Sequence, residues 1–209
     1  MTDTITIDAL TRWLTGFAER VAEQREYLTE LDSAIGDADH GANMARGMGA
    51  VVEKIGQDPA ATVDALLKTT GMTLVSSVGG ASGPLYGTFF LRMGAKAGAV
   101  AELDAAGLGA ALRAGYEGIL QRGKAEPGDK TMIDAMLPAL DAYDAAAGSG
   151  SLADALTAAS AAAAEGRDAT EPLVARKGRA SYLGDRSAGH IDPGSASTAL
   201  LFEALAAAA

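Results

Sequence analysis

Three aspartates fall within eight residues, in Asp32-Ser33-Ala34-Ile35-Gly36-Asp37-Ala38-Asp39-His40-Gly41. Asp37 and Asp39 alternate, so an extended backbone would point their carboxylates the same way. Gly36 permits the turn that brings Asp32 alongside. No lysine or arginine stands in this stretch, and three converging carboxylates without a basic neighbour need a cation between them. Magnesium suits: it takes a few carboxylates and completes its octahedron with water and phosphate oxygens. A calcium loop of the EF-hand type fails on spacing, because the twelfth position counted from Asp37 is Met48, where a glutamate is required. One aspartate alone is ordinarily a helix cap or a solvated loop acid; the crowding of three argues for more. His40 by itself carries no assignment, since histidine also caps helices and fills polar gaps.

Gly79-Gly80-Ala81-Ser82-Gly83-Pro84 is a second candidate. Such a loop before a helix turns backbone amides toward an anion, although taken alone it reads first as a tight interhelical turn. Gly118 to Ala125 nearly matches a phosphate loop of the G-x-x-x-x-G-K-[ST] type. Ala125 lacks the hydroxyl that would ligate magnesium, and Ile119 and Leu120 read as helix, so the match is rejected. Gly123 and the run Glu126 to Met132 remain as a frame for a ligand. The longest irregular stretch, Lys177 to Gly194, concentrates Lys177, Arg179 and Arg186 in an acidic chain. Arg179 offers a guanidinium fork for phosphate, and Asp192-Pro193-Gly194 forms a turn entering the last helix. The bland reading is a surface loop whose arginines pair with glutamates.

Helices must position these segments. Of the 209 residues, 48% are hydrophobic and only 5% aromatic, with alanine dominant, a composition that favours packed helices over strands. Ile7, Leu10, Trp13, Leu14, Phe17 and Val21 recur at three- and four-residue steps and predict a first helix. Further helices are predicted over Ala42–Ile55, from Asp58-Pro59 (Pro59 in the first turn) to about Val78, and over Leu85–Ala97 and Asp104–Gln121. Three more run through Met132–Leu140, over Ala153–Ala164 with extension toward Ala175, and from Ser195 to the end. About eight helices with short links mean an antiparallel bundle or barrel. Gly148-Ser149-Gly150 is the best linker candidate, but the same alanine-rich texture resumes after it, so residues 1–209 are read as one domain.

A formal net charge of −10 disfavours nucleic acid, which attracts basic surfaces. No apolar run approaches the roughly 20 residues that span a bilayer. The N-terminus lacks a secretory pattern and there is no cysteine, which leaves the cytoplasm as the expected compartment.

Taken together, AIGDADHGANM, GGASGPLYGTFF, KAEPGDKTMIDA and GRASYLGDRSAGHIDPGS, in that order, resemble the L subunit of dihydroxyacetone kinases. The resemblance covers nearly the whole chain and implies an all-α antiparallel barrel of eight helices with a nucleotide at one rim. It implies that Asp32, Asp37 and Asp39 hold magnesium, with two ions expected, against the phosphates of ADP or ATP. His40, Gly41, Ala42 and Asn43 match the helix start beside the phosphates, and Ala81 and Ser82 the loop that caps them. Gly123 and Met132 match positions around base and ribose, while Arg179 and Asp192-Pro193-Gly194 match the closing side. Asp185 stands where the pattern has glutamate, and Ile191 varies the approach to Asp192; neither touches the carboxylates. The resemblance further implies a K subunit that holds the ketone and an M subunit whose phosphohistidine rephosphorylates bound ADP. It leaves two alternatives open: an ATP-using kinase for another ketose such as a tetrose, and a non-catalytic lipid-binding or regulatory helical protein.

Overall fold

Thr6 accepts a hydrogen bond from the Ala9 amide at 3.3 Å and so caps α1 (Ile7–Glu23), which buries Leu10, Trp13, Leu14, Phe17 and Val21 as their period predicts. The computed structural model describes residues 4–148 and 150–209. Within the expected linker, Ser149 therefore lies outside the described residues.

A helix not anticipated follows at once: α2 (Arg25–Ile35) buries Leu28, Asp32 and Ile35. Its apolar stripe is hard to read because Asp32 occupies one of the three buried positions. α3 (His40–Gln57) starts two residues before the expected Ala42. α4 (Val63–Ser77) starts later than predicted, so Pro59 lies in the connection and not in a first turn. The opening amide of α4 donates to the Val100 carbonyl at 2.8 Å, so an incoming segment satisfies it. α5 (Ser82–Ala97) and α6 (Ala105–Gly123) match the sequence reading closely, with Asp104 capping α6 through the Gly107 amide at 2.7 Å. α7 (Ile133–Ala147) and α8 (Leu152–Asp168) follow. α8 stops well short of Ala175, where Thr170 folds back to donate to the Arg167 carbonyl at 2.6 Å. The irregular stretch contains a 3-10 helix (Arg179–Ser187), and α9 (Pro193–Ala208) closes the chain with proline in its first turn.

The described chain is thus all-helical apart from two three-residue strands, β1 (Thr4–Thr6) and β2 (Glu102–Asp104), paired antiparallel with Ile5 opposite Leu103. Three residues are too few for an alternation to show in sequence.

Helices consecutive from α3 to α9 pack as neighbours, and α1 touches both α9 and α3. The shared core is large and aromatic at its centre. Trp13 lies 5.6 Å from Phe90 between ring centroids and donates its indole N–H to the Leu201 carbonyl at 2.9 Å, pinning α1 to α9. α2 packs chiefly on α3, and also on α9 and the 3-10 helix. Among the described residues no helix is long and apolar enough to cross a membrane.

Candidate functional site

Alternate helices bring their starts to one cleft. His40 opens α3, Ser82 opens α5, Met132 precedes α7 and Pro193 opens α9, and all four residues line it. Helix starts present unpaired amides and the positive end of the dipole, so this cleft favours negative charge. Asp39 and Ala81 occupy the cap positions of α3 and α5 without any side-chain cap. The first turn of α5 keeps its amides for an anion, whereas the His40 amide that opens α3 is already bound to the Asp32 carboxylate.

Beside the start of α3 lies the acidic arm. Asp32, Asp37 and Asp39 each offer a carboxylate oxygen within 4.8 Å of those of the other two. Asp32 sits in the last turn of α2 and not in the loop where the sequence reading put it. Its Oδ2 accepts from the amides of Asp39 at 2.8 Å and His40 at 3.1 Å, holding the carboxylate and capping α3 from outside. A Cβ on Gly36 would fall on that carboxylate, so the turn requires glycine. The expected extended run through Asp37 and Asp39 is not what brings them together. Ala38 adopts φ 63° and Asp39 is already right-handed helical, so a left-handed kink turns the two carboxylates inward.

The supposed lack of a basic neighbour is also corrected. Arg179, from the 3-10 helix, donates Nε to Asp37 Oδ2 at 2.9 Å. Its guanidinium is a stand-in for a cation at the exposed side of the cluster. Three hard oxygen ligands, graded from buried Asp32 to exposed Asp37, fit magnesium that keeps open positions for water and phosphate.

His40 is buried between two hydroxyls, with Nδ1 3.1 Å from Ser82 Oγ and Nε2 2.9 Å from Ser197 Oγ. Burial pushes its pKa below the ordinary value, against the opposing pull of Asp32 and Asp39, which favours the neutral ring. Each ring nitrogen thus has one hydroxyl partner, and Ser197 also reaches the Gly194 carbonyl at 3.0 Å. Tyr86 joins the network through Ser197 at 2.8 Å and Thr198 at 3.1 Å, and burial pushes its phenol up to about 12. This layer ties the starts of α3, α5 and α9 together. It was missed in the sequence, where the one signal was a set of hydroxyls, Ser195, Ser197 and Thr198, in a largely apolar helix.

Asp192 caps α9, accepting from the Ser195 amide at 2.6 Å. Burial pushes its carboxyl up to about 7; the Ser195 bonds and Lys130 oppose this, and Asp134 adds to it. Ala81, Ser82, Met132, Arg179, Asp192, Pro193 and Gly194 all line the cleft. Gly41, Ala42, Asn43 and Gly123 are not in that lining. Gly41 faces α2, where a Cβ would overlap the Arg25 carbonyl. Asn43 is buried, accepts from Arg46 at 2.7 Å and faces Gly79. Gly123 ends α6 against Leu85, which does line the cleft.

Residues 34–207 match the family described as the DAK2 domain. The chain belongs to the DAK2 domain family. This DAK2 chain is 48% identical over 194 residues to the PEP-dependent dihydroxyacetone kinase 1, ADP-binding subunit DhaL, of Listeria innocua, covering 93% of this chain and 92% of that one. It is 47% identical over 201 residues to the PEP-dependent dihydroxyacetone kinase, ADP-binding subunit DhaL, of Escherichia coli, covering 96% of each. Among solved structures, the dihydroxyacetone kinase of C. freundii in complex with AMP-PNP and Mg2+ aligns with TM-score 0.73 at 29% identity. That alignment covers 97% of the DAK2 chain and 34% of the kinase, so the chain corresponds to about a third of that protein.

Proposed function

We propose that this chain is the nucleotide-binding subunit of a phosphoenolpyruvate-dependent dihydroxyacetone kinase, working in the cytoplasm. The observation that carries the reading is the meeting of three carboxylate oxygens within 4.8 Å beside a cleft rimmed by helix starts. Relatives at 48% and 47% identity are named ADP-binding subunits, and a structural neighbour is a complex with AMP-PNP and Mg2+.

In this reading Asp32, Asp37 and Asp39 hold two magnesium ions. The first turns of α3 and α5, with Ser82, take phosphate oxygens, and Met132 packs beside the nucleoside. Bound ADP supplies the chemistry of a phosphoryl carrier between an M subunit bearing phosphohistidine and dihydroxyacetone held on a K subunit. The protein's own part is positioning and charge neutralisation, which is what phosphoryl transfer chiefly demands. Asp32 is locked by two amides, so it presents its oxygens without reorganisation. Arg179, already at the cluster, spreads positive charge over the transferring group and so acts as its stabiliser. The packing order from α3 to α9, with α1 between α9 and α3, and the gathering of alternate helix starts at one cleft support a closed antiparallel barrel of eight helices around which α2 is an addition.

The test is the ligand itself. Protein purified without added nucleotide is denatured and the released molecules are identified by mass spectrometry. ADP in near-stoichiometric amount is expected; release of a lipid, or of no nucleotide together with no magnesium-dependent ADP binding, would count against the reading.

A further inference from the structure

Lys130 has no role in the chemistry above, yet it is 1% exposed and sits at φ 63°, a conformation lysine rarely adopts. A buried ammonium is tolerated only when its three donors are met. Nζ donates to the carbonyls of Ser187 at 2.7 Å, Leu173 at 3.0 Å and Glu171 at 3.3 Å. With three protons on three backbone carbonyls, this lysine is committed to the chain and not to a phosphate in the cleft it borders.

What it grips is the segment that carries Arg179. The Arg176 amide donates to the Asp129 carbonyl at 3.0 Å as the segment leaves, and Ser187 ends the segment against Lys130 Nζ. The two feet are also tied to each other, with the Ala175 amide donating to Ser187 Oγ at 2.8 Å. The segment's inner side rests on the acidic arm through a small separate cluster of Ile35, Ala175 and Ala180, with Leu183 packed against it. Ile35 lies two residues before Asp37. Any slip of the feet therefore moves Arg179 relative to the carboxylates it meets at 2.9 Å.

We propose that Lys130 is a positioning residue whose ammonium ties the Glu171–Leu173 stretch to Ser187, closing the base of the 176–187 segment, and so holds Arg179 over the metal and phosphate site. The proposal rests on the reading of the cleft as a magnesium–ADP site.

The experiment is a double-mutant cycle in the full chain. ADP affinity with Mg2+ is measured by calorimetry for the wild type, Lys130→Met, Arg179→Ala and the double variant. Amide exchange at Ala175 and Gly189 is followed without nucleotide. Each single variant is expected to weaken ADP about tenfold or more, a loss on the scale of one charge-assisted hydrogen bond. The double variant is expected to bind within about twofold of Arg179→Ala, since Lys130 acts through that residue. Exchange at Ala175 and Gly189 rises in Lys130→Met, while the amides of α3 and α5 hold their protection. Losses that multiply in the double variant, or wild-type affinity in Lys130→Met, would overturn the proposal. Should Lys130→Met not fold, Lys130→Gln, which keeps two donors, enters the same cycle with the same expectations. Wild-type protein that fails to bind ADP with Mg2+ would sink the nucleotide reading instead; a wild type that binds and a cycle that multiplies sinks only the role of Lys130.

Discussion

At the scale of single residues, Asp37 and Arg179 compete and cooperate in turn. Asp37→Asn removes one of the three proposed ligand carboxylates, so magnesium-dependent ADP binding is expected to fall by about 100-fold, as for loss of a strong charged contact. The magnesium-independent remainder should change little in the same titration. Arg179→Ala has effects of opposite sign. ADP is expected to bind more weakly, because the proposed guanidinium–phosphate contact is lost, while bare Mn2+ is expected to bind more tightly, because Asp37 is released from its partner. Electron paramagnetic resonance of free Mn2+ reads the second effect directly, and weaker Mn2+ binding in this variant would refute the stand-in role. Asp192 gives a pH signature. Its carboxyl titrates near 3.9 in an unfolded chain and is pushed up to about 7 in the fold. The folded state thus favours the protonated form, so the stability tied to it is full below pH 4 and is lost as pH rises through 7. Asp192→Asn cannot ionise and still caps a helix. Its stability relative to wild type should rise across that window by roughly 2–4 kcal/mol, read by urea denaturation at stepped pH.

At the scale of elements, the site depends on how α2 and α3 meet. Gly41 presses α3 onto the Arg25 carbonyl of α2, and the same contact sets the distance between Asp32 and the Asp39 amide. Gly41→Ala should lower stability by about 1–3 kcal/mol through overpacking, seen as a reduced melting temperature, and weaken metal binding with it. Elements with an unbroken apolar period were legible from sequence, as in α1, α5 and α6. α2 was not, because the acid that serves the site sits on its buried stripe. The carboxylate cluster was legible as composition, three aspartates in eight residues, but its geometry was not. Gly36 and the left-handed Ala38 build it, and alternation along a strand does not. The Arg179–Asp37 pair spans 142 positions of chain, and the acceptors of Lys130 are main-chain carbonyls that any residue type supplies. Neither could be read from side-chain identities alone.

At the scale of the whole molecule, the proposed function gives this chain the nucleotide and leaves the ketone to a K subunit. The purified chain is therefore expected to retain ADP through gel filtration and to show no dihydroxyacetone kinase activity alone. Activity should appear when K and M subunits, phosphoenolpyruvate and the phosphocarriers are added together. Turnover with ATP in place of phosphoenolpyruvate would instead favour an ATP-using relative. The three carboxylates are the centre of the proposed site, and crystals grown with ADP and Mn2+ and measured at the manganese absorption edge test it most directly. The predicted result is anomalous density bonded to oxygens of Asp32, Asp37 and Asp39 and bridging to the ADP phosphates. Manganese located elsewhere, or ADP bound in the cleft with no metal at these carboxylates, would contradict it.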